Sequence, residues 1–328
     1  MKNKLKRIVN NMNLSKVRFW IQLITFVLFV YGGYLAVDLG SRLPIFACPY
    51  NEGAPGACYM IPLQHQLGMN TQMLFGFAAM SFLIGFATFI LWFIFLNKAW
   101  CGYACPLGTL QDWLTALRKS FGIRYSTYKK EHHGALSKIK YIFLAIVVLI
   151  PLFIGVGLIG HDWSAAYCKM CPARVILPMF SGDLSQWNID FSSPTSMVLT
   201  SLGMIFAGLL LAGSFVKKRF FCYFCPMSAM HYIFSPLSFI KLKKDGAKCT
   251  KCGDCYSVCD MQIRDIADDV KSTNILRDDC ILCLKCVAAC PEEDALHFDI
   301  FNIKAFSSTK EGFEKRMGMD AHKGESHD

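Results

Sequence analysis

Eight cysteines near the C-terminus repeat one spacing. Cys249, Cys252, Cys255 and Cys259 form the first run, and Cys280, Cys283, Cys286 and Cys290, followed by Pro291, form the second. Each run reads C-x2-C-x2-C-x3-C, the bacterial arrangement for paired [4Fe–4S] clusters, in which the fourth thiol of one run reaches the other cluster. The expected ligand sets are therefore Cys249, Cys252, Cys255 and Cys290 for one cluster, and Cys280, Cys283, Cys286 and Cys259 for the other. Zinc is the competing ligand, but its sites usually show two separated C-x2-C pairs. Four thiols within eleven residues, twice over, favour iron–sulfur. One residue departs from the pattern: Asp260 follows Cys259, where proline is common.

The remaining eight of the 16 cysteines occur in pairs on a very different background. Hydrophobic residues make up 54% of the 328-residue chain, 27 positions are Phe, and charged residues are only 18%. That balance indicates a membrane protein. A secreted disulfide scaffold is excluded by the length and apolar composition. The net charge of +10 suits an anionic lipid surface. Four uncharged apolar stretches are long enough to span as helices, at residues 19–37, 74–96, 141–160 and 196–216, the third with Pro151 as a kink. The stretch at 19–37 follows a basic segment (1–18) but lacks a small-residue cleavage site, so it reads as a span and not a signal peptide.

The loops set the orientation. Cations concentrate between spans two and three (Arg118, Lys119, Arg124, Lys129, Lys130, Lys138 and Lys140 among them) and after span four (Lys217, Lys218, Arg219, Lys241, Lys243, Lys244). The other loops hold few. By the positive-inside rule both termini are cytoplasmic, in a bacterial or archaeal inner membrane. Residues 241–248 read as a basic tether at the lipid surface.

The chain also repeats. Spans one and three, and spans two and four, start 122 residues apart, and Cys105-Pro106 and Cys225-Pro226 are 120 apart. The expected fold is an all-α bundle of four transmembrane helices in two parallel repeats, related by an axis along the membrane normal. A C-terminal α+β ferredoxin-like domain with two [4Fe–4S] clusters follows. The expected domains are a basic N-terminus (1–18), a first membrane repeat (19–121), a basic linker (122–140), a second repeat (141–240), the ferredoxin domain (241–306) and a disordered tail (307–328).

This topology sorts the paired cysteines into two candidate metal sites. Cys101, Cys105, Cys222 and Cys225 fall on the inner face, and Cys48, Cys58, Cys168 and Cys171 on the outer face. Four thiolates at one place satisfy the ligand count of a further iron–sulfur cluster. Disulfides outside, and zinc or spare thiols inside, are the alternatives. After Cys105, the spacing of Leu107, Leu110, Leu114, Leu117 and Phe121 predicts an amphipathic helix on the inner leaflet. No histidine lies within the spans, which argues against haem in the bundle. A quinone needs a hydrogen-bonding group beside an apolar cleft. The candidates are His161 with Asp162, His65 and His231, the first pair being favoured because a carboxylate beside imidazole could take quinol protons.

The motifs Cys101-Gly-Tyr-Ala-Cys105-Pro106 and Cys222-Tyr-Phe-Cys225-Pro226, with four spans and a cytoplasmic double-cluster tail, resemble the NapH type of membrane quinol dehydrogenase. Similar Cys-Pro motifs occur in the NosR and CcoG (FixG) groups of membrane ferredoxins. The second motif has two residues between its cysteines where the family has three, and the outer cysteines are not part of the family pattern. No flavin-binding domain precedes span one, which argues against the NosR type. The resemblance implies an electron-transfer subunit of anaerobic respiration. It would pass electrons between the quinone pool and a partner iron–sulfur or cytochrome subunit, with no nucleic acid involved. Electron entry from ferredoxin to quinone, and a CcoG-like metal-reducing assembly factor, are the alternatives it leaves.

Overall fold

The computed structural model describes residues 14–31, 60–68, 78–123 and 130–317. Cys48, Cys58, the first 13 residues and residues 318–328 lie outside them. The bundle comprises α1 (Leu14–Tyr31), α2 (Met60–Leu67), α3 (Ala78–Phe95), α4 (Pro106–Ser120), α5 (Lys130–Gly155), α6 (Ala166–Met170), α7 (Pro172–Phe180), α8 (Pro194–Val216) and α9 (Pro226–Ile233). Among the described residues, three helices are long and apolar enough to cross a membrane: α1, the His133–Gly155 part of α5, and α8. The predicted second span coincides with α3, where Phe86–Phe95 counts as a shorter apolar helix.

These helices have two faces. In α1 the buried residues are Arg18, Gln22, Phe26 and Val30, one every turn, while Phe19, Trp20 and Ile24 are exposed. An apolar outer face and a polar-tipped inner stripe are what lipid demands, because polar side chains must find partners inside the protein. In α8 the Ser193 side chain caps the first turn by accepting from Ser196 N–H at 3.1 Å, and Pro194 occupies the first helical position. Its buried stripe is rich in small residues: Ser196, Thr200, Gly203, Ala207 and Ser214. Small residues let backbones approach closely in a membrane. At Gly203 a Cβ would lie 2.5 Å from the Lys169 carbonyl oxygen, so α6 packs against the middle of α8.

The interhelical contacts are reciprocal. α4 packs on α1, and α9 on α5; α7 packs on α1, and α2 on α5. One core joins Phe26 and Val30 of α1, Leu107 and Leu110 of α4, Ile176 of α7 and Leu210 of α8. A second joins Met60, Phe89, Phe93, Val147, Tyr167 and Met227.

The amphipathic helix predicted after Cys105 is α4, and its apolar face packs against the bundle. Leu107 and Leu110 are core residues, and only Leu117 and Phe121 at its far end are exposed. Arg118 turns inward and donates to the Phe215 and Val216 carbonyls, at 3.0 and 3.1 Å, at the end of α8. Those carbonyls have no partner within their own helix. Arg118→Ala is expected to cost about 1.5–3 kcal/mol, the usual worth of hydrogen bonds to a charged donor. Urea or thermal unfolding in detergent would measure it, with the exposed Lys119→Ala as the control expected to change little.

The C-terminal domain contains strands β1 (Ile240–Lys244), β2 (Leu296–Ile300) and β3 (Ile303–Ser307) in an antiparallel sheet of that order. Short helices α10 (Asp254–Ser257) and α12 (Lys285–Ala288) each hold one cysteine of a run, α11 (Asp265–Asp268) lies between the runs, and α13 (Lys310–Met317) follows the sheet.

Three expectations change here. Residues 241–244 belong to a strand: Leu242 is buried, and Lys244 is 3% exposed with its ammonium donating to the Ile266 and Ala267 carbonyls. The basic residues read as a lipid tether are thus partly used inside the domain. Order also continues past Phe306, through buried Ser307 and Ser308 and into α13. Residues 130–140 of the expected basic linker are the first turns of α5, where Lys140 is fully buried in ion pairs with Asp278 and Asp279.

Candidate functional site: two thiol quartets, a sulfur-lined chamber and the seam between them

In the tail, Cys249, Cys252, Cys255 and Cys290 line one cavity. Cys259 stands within electrostatic reach of Cys280 and Cys283, and Cys286 within reach of all three. The backbone of the two runs matches position for position. Lys251 (φ 58°) corresponds to Leu282 (φ 50°), and Gly253 (φ 85°) to Leu284 (φ 60°). Left-handed backbone costs a non-glycine residue about 1–2 kcal/mol. Here it wraps the loop so that amides face sulfur, as where Leu282 N–H meets Cys280 Sγ at 3.4 Å.

Burial pushes the Cys259 and Cys280 thiols up to about 12 and Cys255 up to about 11. As bare thiols they are neutral and inert; a coordinated metal would deprotonate them outright. Among the described residues no three His, Cys, Asp or Glu side chains close around one point as a single metal ion requires. Zinc draws sulfurs to about 2.3 Å of one centre.

Inside the bundle one cavity is lined by Cys101, Cys105, Cys222 and Cys225, and also by Cys168 and Cys171. The outer-face and inner-face sets, kept apart in the sequence reading, share this one chamber as far as the described residues show. The connection between α5 and α8 folds back into the bundle, which is why Lys169 meets Gly203 at mid-helix. All six are free thiols, so the disulfide reading of Cys168 with Cys171 does not hold. His161 and Asp162 sit on an exposed turn, His65 is exposed on α2, and His231 is buried with its ring 4.3 Å from that of Phe93. None of these four lines the chamber.

The chamber and the tail meet along a seam that sequence reasoning did not find. A Cβ on Gly102, between Cys101 and Cys105, would lie 2.3 Å from the Ile281 carbonyl oxygen and 3.5 Å from the Cys283 backbone. Tyr103 donates to the Cys283 carbonyl at 3.3 Å, Tyr223 to the Met261 carbonyl at 2.5 Å, and Lys98 to the Asp278 carbonyl. Ile281, between two tail thiols, is itself part of the chamber wall.

A buried charge network closes the seam. Arg219 pairs bidentately with Asp112 at 2.7 and 2.6 Å, Arg18 bridges Asp112 and Asp260 at 2.5 and 3.2 Å, and Lys285 reaches Asp260 at 2.6 Å. Burial disfavours the charge on Asp260, yet Lys285 and Arg18 outweigh it and hold the carboxyl below the usual range. The residue standing where proline is common is therefore a docking anchor. The sequence held one hint of the network: Asp112 is an isolated acid in a strongly basic stretch.

A model for a 4Fe-4S binding domain matches this chain twice, over 78–124 and 199–244, and so includes both inner cysteine pairs. A model for a 4Fe-4S dicluster domain matches 241–291. Together with the membrane helices, these define an iron–sulfur electron-transport protein of the membrane. The chain is similar to ferredoxin-type and electron-transport membrane proteins, NapH among them.

Among its relatives, an uncharacterised protein of Methanocaldococcus jannaschii is 27% identical, over 62% of this chain and 73% of its own. The putative electron transport protein YccM of Escherichia coli is 28% identical over 70% and 59%, respectively. The ferredoxin-type protein NapH of Haemophilus influenzae is 29% identical over 64% and 66%. This chain thus spans between 59% and 73% of these relatives' own lengths. No solved structure matches.

Proposed function

We propose that this protein passes electrons between the membrane quinone pool and a partner redox subunit, as a quinol dehydrogenase component. In this reading Cys249, Cys252, Cys255 and Cys290 hold one [4Fe–4S] cluster, and Cys280, Cys283, Cys286 and Cys259 hold the other. Cys101, Cys105, Cys222 and Cys225 hold a further centre in the bundle. Bound clusters would supply one-electron storage, at potentials set by the charge and hydrogen bonding around the sulfurs.

The observation that carries the proposal is the backbone contact of Gly102 with Ile281 and Cys283. It sets a bundle thiol loop directly against a tail thiol loop with no solvent-filled gap for a carrier to cross. The chain's residues hold that contact, exclude water from it and place the cations Arg18, Arg219 and Lys285 beside the anionic sites. The same seam serves flow in either direction, and the potentials of the two pools decide which.

The reading includes four spans in two parallel repeats with both termini cytoplasmic. The doubled 4Fe-4S binding-domain match and the reciprocal packing of α4 on α1 and α9 on α5 support it.

Anaerobic purification with iron quantification and a redox titration by electron paramagnetic resonance test the ligand assignment. Cys255→Ser is expected to remove about four irons, one cube, and one tail signal, leaving the other. Full retention of both tail signals would refute that assignment. The quinone role is tested separately by adding a quinol analogue. Iron centres that quinol cannot reduce and quinone cannot oxidise would end it.

A further inference from the structure

We propose that Cys168 and Cys171 are ligands of iron held in the bundle chamber, together with the Cys-Pro thiols of α4 and α9. The inference rests on the reading that the bundle thiols bind iron, and assigns to that centre two sulfurs that no family model includes.

Four observations carry it. Cys168 and Cys171 line the same cavity as the four other thiols. Cys171 is also built like its counterparts. Cys105, Cys171 and Cys225 each immediately precede a proline at the first position of a helix, α4, α7 and α9. Proline presets the helical φ and lacks an N–H, so the next amides of the turn are the ones that face the sulfur. The Arg174 and Ser228 amides close these turns on the Cys171 and Cys225 carbonyls, at 3.1 and 3.0 Å, and the Leu107 and Gly108, Ala173, and Ser228 amides stand near the Cys105, Cys171 and Cys225 sulfurs, respectively. Helix N-termini favour a thiolate.

Each half also offers the chamber an amide. Gln64 donates to Cys168 Sγ at 3.0 Å, and Gln111 points to Cys222 Sγ at 3.9 Å. Finally, the turn bearing Cys168 and Cys171 lies at mid-length of α8, locked there by the close approach of Lys169 to Gly203. A pair whose only purpose was to staple an external loop would not need that depth, nor two free thiols. On binding iron, each thiol gives up its proton to solvent as the S–Fe bond forms, with no change of oxidation state, and the host's cluster assembly supplies the iron and any bridging sulfide.

The test uses the full chain isolated anaerobically from a host that assembles iron–sulfur clusters. Iron and acid-labile sulfide per chain are measured, with Mössbauer spectra. The wild type is expected to hold more than about eight irons, the content of two cubes. Cys168→Ser/Cys171→Ser is expected to fall towards about eight irons, with the tail resonances intact as proof that the chain is folded. A wild-type content of only about eight irons would overturn the inference while leaving the tail assignment standing. So would a double variant that keeps the wild-type count.

Should the double variant fail to fold, maleimide labelling of the wild type decides. Cys168 and Cys171 are expected to be protected as isolated and labelled after iron is removed by chelation. Equal labelling before and after would refute the proposal.

Discussion

Asp112→Ala is expected to destabilise the assembly of bundle and tail by about 3–5 kcal/mol, the usual cost of removing one partner of a buried ion pair. Asp112 neutralises two guanidinium groups that are almost wholly enclosed, Arg18 and Arg219, with side chains 5% and 1% exposed. Without it, among the described hydrogen bonds, Arg219 keeps that to the Cys101 carbonyl, and Arg18 those to the Gly102 carbonyl and, at longer range, to Asp260. Two like charges would then face each other in a poorly solvated seam. Thermal or denaturant unfolding in detergent, followed by the visible absorbance of the clusters, measures the loss. A change below about 1 kcal/mol, the level of an exposed pair, would show the network to be ornamental.

The same residue gives a pH signature. Burial opposes the negative charge of Asp112, but Arg219 and Arg18 prevail and hold the carboxyl well below the ordinary range. A depressed folded-state pKa contributes stability that is complete above the unfolded value, about 3.9, and is lost only as pH falls through the lower folded value. The Asp112 contribution to the seam is therefore expected to be flat from neutral pH down to about 4 and to weaken below that.

Gly102→Ala is the second large effect, and it acts on transfer more than on folding. The added methyl would sit 2.3 Å from the Ile281 carbonyl oxygen. Neither backbone can yield as a flexible side chain would, so the loops must part. Overpacking of this kind costs about 1–3 kcal/mol. Its functional consequence is a slower exchange of electrons between bundle and tail, with both ends still loaded. Rapid-freeze paramagnetic resonance after a pulse of reductant would show the tail and bundle signals changing at separate rates instead of together. Gly208→Ala in α8 is the control: nothing lies within 4 Å of its added carbon, so rates and stability should stay near wild type. If Gly102→Ala also leaves the exchange rate unchanged, the seam is not the route.

The relatives and the family models bear out the iron–sulfur character and the membrane setting read from sequence, because both signals are local. A C-x2-C-x2-C-x3-C run states its chemistry in eleven residues, and an apolar stretch states its medium in about twenty. The Cys101 to Pro106 and Cys222 to Pro226 motifs are local in the same sense, and they carried the family resemblance. The proline at a helix start likewise made α4 and α9 begin where those motifs end.

What only the tertiary structure decided concerns polar groups whose partners are far away in the chain. Hydropathy reads the connection holding Cys168 and Cys171 as an outer loop, since it is too short and too broken to span. Yet a folded-back turn is tolerated at membrane depth when other protein segments surround it, and the stripe of small residues along α8 makes that room. Charge counting likewise placed Lys140 and Lys244 in solvent or at lipid, and left Asp260 as an irregularity. Lys140 and Lys244 are buried because carboxylates or carbonyls elsewhere in the chain meet them, and Asp260 because Lys285 and Arg18 do. Spacing along the chain can name a ligand and its medium. Which thiols share a chamber, and which charges seal it to the tail, depends on packing that brings residues more than a hundred positions apart into contact.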